Sequence, residues 1–155
     1  MEPSIEIAES LFKQTKYQET IDICSQILVS NKNSIKALKL IAKSFLATQK
    51  IEDARFYFNQ VLALKSDDYE VIKDLGNLFQ AIGDIKTAKK YYQKAIEINS
   101  SYAPALTNLG SIELNHGNQE IALSLLIKAT ECDPLLVPAW INLANIYLKL
   151  NKLEE

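Results

Sequence analysis

Residues 69–102 read YEVIKDLGNLFQAIGDIKTAKKYYQKAIEINSSY, and residues 103–136 read APALTNLGSIELNHGNQEIALSLLIKATECDPLL. Laid one over the other, Leu75-Gly76 falls on Leu109-Gly110 and Gly83 falls on Gly117. The same thirty-four-residue step, carried outward without insertion or deletion, starts further blocks at Met1, Ile35 and Val137. Four full blocks result, 1–34, 35–68, 69–102 and 103–136, with a partial fifth at 137–155. A fixed period of this length marks a stack of small supersecondary units, each packing on its neighbours. One array over 1–155 is therefore expected, and its fold class is all-α.

The helices follow from spacing inside a block. Val71, Ile72, Leu75, Leu78 and Phe79 recur three and four apart and make one apolar face. Gly83-Asp84 interrupts as a tight turn. Ala88, Tyr91, Tyr92, Ala95, Ile96 and Ile98 form a second face, and Asn99-Ser100-Ser101 closes the unit. Two amphipathic helices joined by a short turn make an antiparallel hairpin.

Small residues recur where two helices must approach. Ala8, Ala42, Gly76, Gly110 and Ala144 share one place in the first helices. Thr20, Ala54, Ala88 and Ala122 share another in the second helices, and Ile27, Val61, Ala95 and Ala129 a third. Large residues fill the neighbouring holes: Leu11, Phe45, Phe79 and Tyr147 on first helices, Phe58, Tyr92 and Leu126 on second helices. Gly83 and Gly117 end first helices in the left-handed conformation, which leaves no glycine for a phosphate-cradling loop. Pro3, Pro104 and Pro138 open first helices, where the missing N–H costs nothing, and Pro134 stops the second helix of block four.

Composition narrows the function. Apolar residues make up 48% and charged residues 23%, as in folded proteins. Net charge is −2, and Arg55 is the single arginine, so nucleic acid is not an expected partner. No export signal and no membrane span is read, and a cytoplasmic location is expected. Cys24 and Cys132 both fall on core-facing positions of the pattern, three units apart, and are expected as buried, reduced thiols. His116 sits in a turn with no Ser or Cys at motif spacing, and neither cysteine has metal-ligand spacing. Asp67-Asp68 and Glu154-Glu155 lie near helix starts, where carboxylates cap. No catalytic residue, metal site or cofactor is expected.

The chain resembles the tetratricopeptide repeat family. The family's Trp, Leu-Gly, Tyr, Ala, Phe, Pro pattern is matched by Trp140, Leu143, Ala144 and Tyr147 in block five. Leu109, Gly110, Ala122, Ala129 and Pro134 match it in block four, and Leu75, Gly76, Phe79, Ala88, Tyr92 and Ala95 in block three. Departures are Thr20 and Cys24 in block one and Glu113, which stands for an aromatic and reads as partly exposed. The resemblance implies a right-handed superhelical solenoid whose first helices line a concave groove that receives a peptide or helix of a partner.

First-helix positions outside the core pattern give the candidate lining. Block one offers Glu2, Glu6, Glu9 and Lys13; block two Lys36, Lys39 and Lys43; block three Glu70, Lys73, Asp74 and Asn77. Block four offers Thr107, Asn108, Ser111 and Asn115; block five Ile141, Asn142, Asn145 and Lys149. The candidate peptide-binding residues are Lys36, Lys39, Lys43, Lys73, Asn77, Asn108, Asn142 and Asn145. Lys73, Asn77 and Asn108 also fall where a carboxylate clamp of some tetratricopeptide domains has its Lys and two Asn. Pro138 and Asn142 replace that clamp's remaining basic residues. Asn108 and Asn142 are similar to the asparagine ladder of the O-GlcNAc transferase superhelix, which holds peptide backbone; Glu6, Leu40 and Asp74 break it in earlier blocks.

The sequence thus reads as a protein-interaction scaffold and not as an enzyme. The lysines should select acidic side chains, and variants at Lys39 or Asn142 should stay helical because neither is in the expected core. Two alternatives stand beside it. One is a recruiting segment of a larger enzyme, such as a transferase, since block five stops at Leu153-Glu154-Glu155 as its second helix begins. The other is a self-assembling array. With that second helix absent, some of Leu143, Ile146, Tyr147 and Leu150 should lie uncovered and favour self-association through the C-terminal helix.

Overall fold

The computed structural model of the chain describes residues 4–151, with side-chain surroundings up to Leu148. Pro3, Glu2 and Leu153-Glu154-Glu155 lie outside that range, as do the side chains of Lys149 and Leu150. Among the described residues there are nine α-helices and no strand. They are α1 (Ile5–Lys13), α2 (Tyr17–Ser30), α3 (Ile35–Ala47), α4 (Ile51–Leu64), α5 (Tyr69–Ala81), α6 (Ile85–Ile98), α7 (Ala103–Asn115), α8 (Gln119–Cys132) and α9 (Val137–Asn151). The helices α3, α5, α7 and α9 begin on the block starts read from the sequence.

Local chemistry sets these boundaries. Ser34 Oγ accepts the Ala37 N–H at 3.5 Å, Asp68 Oδ1 the Val71 N–H at 3.1 Å and Asp84 Oδ1 the Thr87 N–H at 3.0 Å. Each satisfies a donor that the first helical turn leaves unpaired. First helices end at one left-handed residue, Gly83 (φ +80°) or Gly117 (φ +83°). Thr15 and Gln49 take the same place at φ 60° despite their Cβ atoms. Second helices end where Asn31, Asn99 and Asp133 accept the N–H two residues on, at 3.2, 3.1 and 3.1 Å.

The chain divides into two compact units, one up to Leu78 and one from Phe79. In the first, α1 packs on α2, α2 on α3 and α3 on α4, while α1 also meets α3. Its core joins Ala8, Cys24, Ala37 and Ile41, with Ile21, Leu28, Phe45 and Tyr57 packed around them. In the second, α6 packs on α7, α7 on α8 and α8 on α9, while α7 also meets α9. Ala88, Tyr92, Leu109 and Ile112 form one cluster there, and Leu114, Ala122, Leu126, Leu143 and Ile146 another. A Cβ built on Gly110 would stand 2.9 Å from Leu126 Cγ, so the small first-helix position is a true close approach.

One expectation is corrected here, and another is narrowed. Cys24 is buried as read, but Cys132 is exposed. Its position in the block is also exposed as Ser30, Leu64 and Ile98, so it lies at the solvent edge of the second helix. Leu143 and Ile146 are buried, at 7% and 0% exposure, because they form the face of α9 that meets α7 and α8. Only Tyr147 of the residues named for the uncovered end is open, at 47%, and Leu150 lies outside the described side chains.

Candidate functional site

In the first unit the face formed by α1, α3 and the start of α5 carries most of the expected lysines. The N-cap of α5 anchors it. Asp68, 3% exposed, caps α5 and turns its other oxygen to Lys39 Nζ at 2.8 Å. Lys39 also donates to Glu70 Oε2 at 2.9 Å, and Lys65 stands 3.7 Å from Asp68. Burial alone would push Asp68 up; the Lys39 hydrogen bond, the Val71 N–H and the nearby lysines hold it below the usual carboxylate range. The Lys39 hydrogen bond likewise keeps Glu70 low. For Lys39, burial favours the neutral amine, but bonds to Asp68 and Glu70 outweigh it and raise the value.

A second pairing sits one turn along. Asp74 is 4% exposed; Lys73 donates to its Oδ1, and Lys43 Nζ lies 3.5 Å from its Oδ2. The lysine stripe is therefore largely matched by the chain's own carboxylates. Lys36 is exposed. Lys39 has only 18% of its side chain exposed and ties two helices together. It lies outside the buried core, as expected, but is tied into the framework by these two ion pairs. Asp74 is no open lining residue either, because it is buried beneath two ammonium groups.

The second unit presents a different first-helix face. On α7, Asn108 and Ser111 are half-buried and Asn115 is exposed. On α9, Asn142 is half-buried and Asn145 exposed. The helices α7 and α9 are in contact. The strip is uncharged. Thr107, expected among the lining residues, is instead 3% exposed and donates its hydroxyl back to Ala103 O at 2.8 Å. Asn77, in the first unit, is half-buried, and both Asn77 and Asn108 are engaged in contacts of their own.

Glu113 corrects another reading. It is 5% exposed, takes a salt bridge from Lys89 on α6 and accepts from Asn118 Nδ2 at 2.6 Å. The Lys89 hydrogen bond holds its carboxyl low against the opposing effect of burial, with Asn118 assisting. Where the resemblance leads one to expect an aromatic, a buried glutamate paired with a partly exposed lysine ties α7 to α6. The sequence signal was available: a lysine on the second helix of one block and a glutamate on the first helix of the next. His116 caps α7, with Nδ1 2.8 Å from Ile112 O, and is exposed. Among the described residues, no group of three His, Cys, Asp or Glu could hold a metal ion. None of the described helices is long and apolar enough to cross a membrane.

Known proteins place this geometry. No curated protein matches the chain in sequence. Tetratricopeptide repeat models match residues 74–102 and 125–155. Among solved structures the chain is similar to PilF of Pseudomonas aeruginosa, at 15% identity and TM-score 0.84, over 96% of this chain and 68% of that one. It is similar to TTC0263, a thermophilic tetratricopeptide protein of Thermus thermophilus, at 18% identity and TM-score 0.81, over 97% and 82%. YrrB, a tetratricopeptide protein with an unusual peptide-binding site, is 21% identical with TM-score 0.65, over 95% and 76%. At these identities the likeness is one of fold. The conclusion is that residues 74–102 and 125–155 match tetratricopeptide repeat models and that the described chain has the fold of tetratricopeptide repeat proteins.

Proposed function

We propose that the chain is a cytoplasmic, non-enzymatic interaction scaffold, one array of repeats 1–34, 35–68, 69–102, 103–136 and 137–155. It holds an extended segment of a partner protein along the first-helix face of α7 and α9. The observation that carries this reading is the uncharged strip of Ser111, Asn115, Asn142 and Asn145, with Asn108 at its head. An amide donates and accepts at once, so a row of them suits a peptide backbone without reading its side chains. YrrB, with its own peptide-binding site, lends the reading support by analogy.

An acidic partner, selected by Lys36, Lys39, Lys43 and Lys73, is the second reading. Exposed Lys36 favours it, whereas pairing of the other three with Asp68, Glu70 and Asp74 counts against it. Titration calorimetry with a library of extended peptides tests both. Hydrogen bonds of about 0.5–1.5 kcal/mol each imply that Asn142→Ala with Asn145→Ala weakens binding by about five- to a hundredfold, with little salt dependence. Binding that ignores these changes but falls steeply with salt and with Lys36→Glu would move the site to the lysines.

A further inference from the structure

The charge on helix α6 is unlike that of the other second helices. Over Ile85–Ile98 it carries Lys86, Lys89, Lys90 and Lys94 against the single acid Glu97, in a chain whose net charge is −2. At about 100° per residue, the four lysines fall on one face. Lys86 stands in the first turn, where the positive end of the helix dipole disfavours a cation. The same block position holds an acid elsewhere, Glu52 on α4 and Glu120 on α8. Lys86 and Lys90, and again Lys90 and Lys94, are like charges four residues apart, which repel. Local rules broken together in one place are expected where a surface serves function.

The fold leaves these charges largely unmatched. Lys89 is paired with Glu113. Among the described residues, no ion pair reaches Lys86, Lys90 or Lys94, and all three are exposed. The N-cap carboxylate of Asp84 lies in the field of Lys86 and Lys90 without pairing to either. The lysines of the first unit behave differently. Lys39, Lys43 and Lys73 each meet a carboxylate of the chain itself, Asp68, Glu70 or Asp74. There the fold supplies the counter-charge to a lysine stripe; on α6 it supplies one carboxylate for four lysines.

A cleft of about 400 Å³ opens beside the stripe, lined by Ile85, Lys86, Lys89, Lys90 and Gln93 of α6 and by His116 from the turn before α8. Three lysines around one hollow concentrate positive potential there. Gln93 adds an amide that can donate to a peptide backbone and accept from it. The spacing of the stripe indicates the form of the ligand. Lys86, Lys90 and Lys94 succeed one another at about 6 Å along the helix axis. Residues on one side of an extended strand repeat at about 6.6–6.8 Å. An extended segment with an acid at every second position therefore sets a carboxylate near each lysine. The basic strip is confined to α6, since Glu120 and Glu131 stand exposed on α8. In a chain that is acidic as a whole, so narrow a strip suits a single strand better than a flat anionic bilayer.

We infer that the lysine face of α6 docks an extended acidic segment of a partner polypeptide, with Asp or Glu at alternate positions. This surface lies on a second helix, separate from the amide strip and from the lysines of α3 and α5, and the inference rests on neither. The probe is a fluorescein-labelled peptide of four Glu-Ser repeats, added to the full chain and followed by fluorescence polarisation. The expected result is saturable binding with a micromolar midpoint that weakens steeply with salt. Lys86→Gln with Lys90→Gln, both at exposed positions, should raise the midpoint about tenfold while leaving the circular dichroism spectrum unchanged. Neither Lys36→Gln nor Asn142→Ala with Asn145→Ala should move it. A peptide with its four glutamates together at one end should bind about threefold more weakly. The inference is overturned if no binding develops, if the double lysine variant binds as the parent does, or if the clustered peptide binds equally well. It is also overturned, in favour of a membrane, if phosphatidylserine vesicles retain the chain through Lys86 and Lys90 while the peptide does not bind.

Discussion

Replacing Lys39 by alanine should destabilise the chain by about 2 kcal/mol, although a reading of the sequence places this lysine on an open surface. The magnitude comes from what is left behind. Removing one partner of a buried ion pair costs about 3–5 kcal/mol when the other charge is stranded. Asp68 is not wholly stranded, because the Val71 N–H still bonds it and Lys65 remains 3.7 Å away. Glu70 is half exposed and regains water, so its loss is small. A cost of about 2 kcal/mol should lower Tm by about 4–8 °C for a domain of this size. Urea unfolding followed by circular dichroism, at several pH values, measures it. Asp68 and Glu70 sit below their ordinary values when folded, so their contribution is full above about pH 4 and is lost as pH falls through the lower folded values. Lys39 sits above its ordinary value, so its contribution is full below about pH 10 and is lost only as pH rises through the folded value. The gap between parent and variant should therefore be widest between about pH 5 and 10 and should close in acid. A gap under about 0.5 kcal/mol at pH 7, or one that stays the same at about pH 3, would refute the ion-pair account.

Two further outcomes test the turns and the thiols. Gln49→Gly should stabilise the chain by about 0.5–1 kcal/mol, because it relieves a left-handed residue (φ 60°) at the place where Gly83 and Gly117 stand; calorimetry showing a lower Tm would contradict this. Of the two free thiols, exposed Cys132 should react at once with a disulfide reagent in the native state. Buried Cys24, its thiol pushed up to about 11 by burial, should react only as the chain unfolds, and two fast thiols would show the first unit's core to be open.

The repeat, the paired helices and their close-approach positions are legible in the sequence because each rests on local chemistry or on a strict period. Gly83 and Gly117 end helices whatever surrounds them, and Ala8, Ala42 and Gly110 announce contact by lacking bulk. Cys132 departs from its expectation because apolar character alone does not mark a core position, and Ser30 in the same place is polar. What charge does is not legible. Lys39 looks like Lys36 in one dimension; only the crossing of α3 with the start of α5 brings Asp68 and Glu70 to it. Glu113 stands as an exposed anomaly until α6 delivers Lys89. The face of α9 shows the same division: its apolar residues can be counted in the sequence, but which of them α7 and α8 bury depends on the direction from which those helices approach. Short-range sterics and periodicity are carried by the chain itself, so sequence determined the helices. Ion pairing and exposure depend on distances between residues far apart in the chain, and only the packed fold decides those.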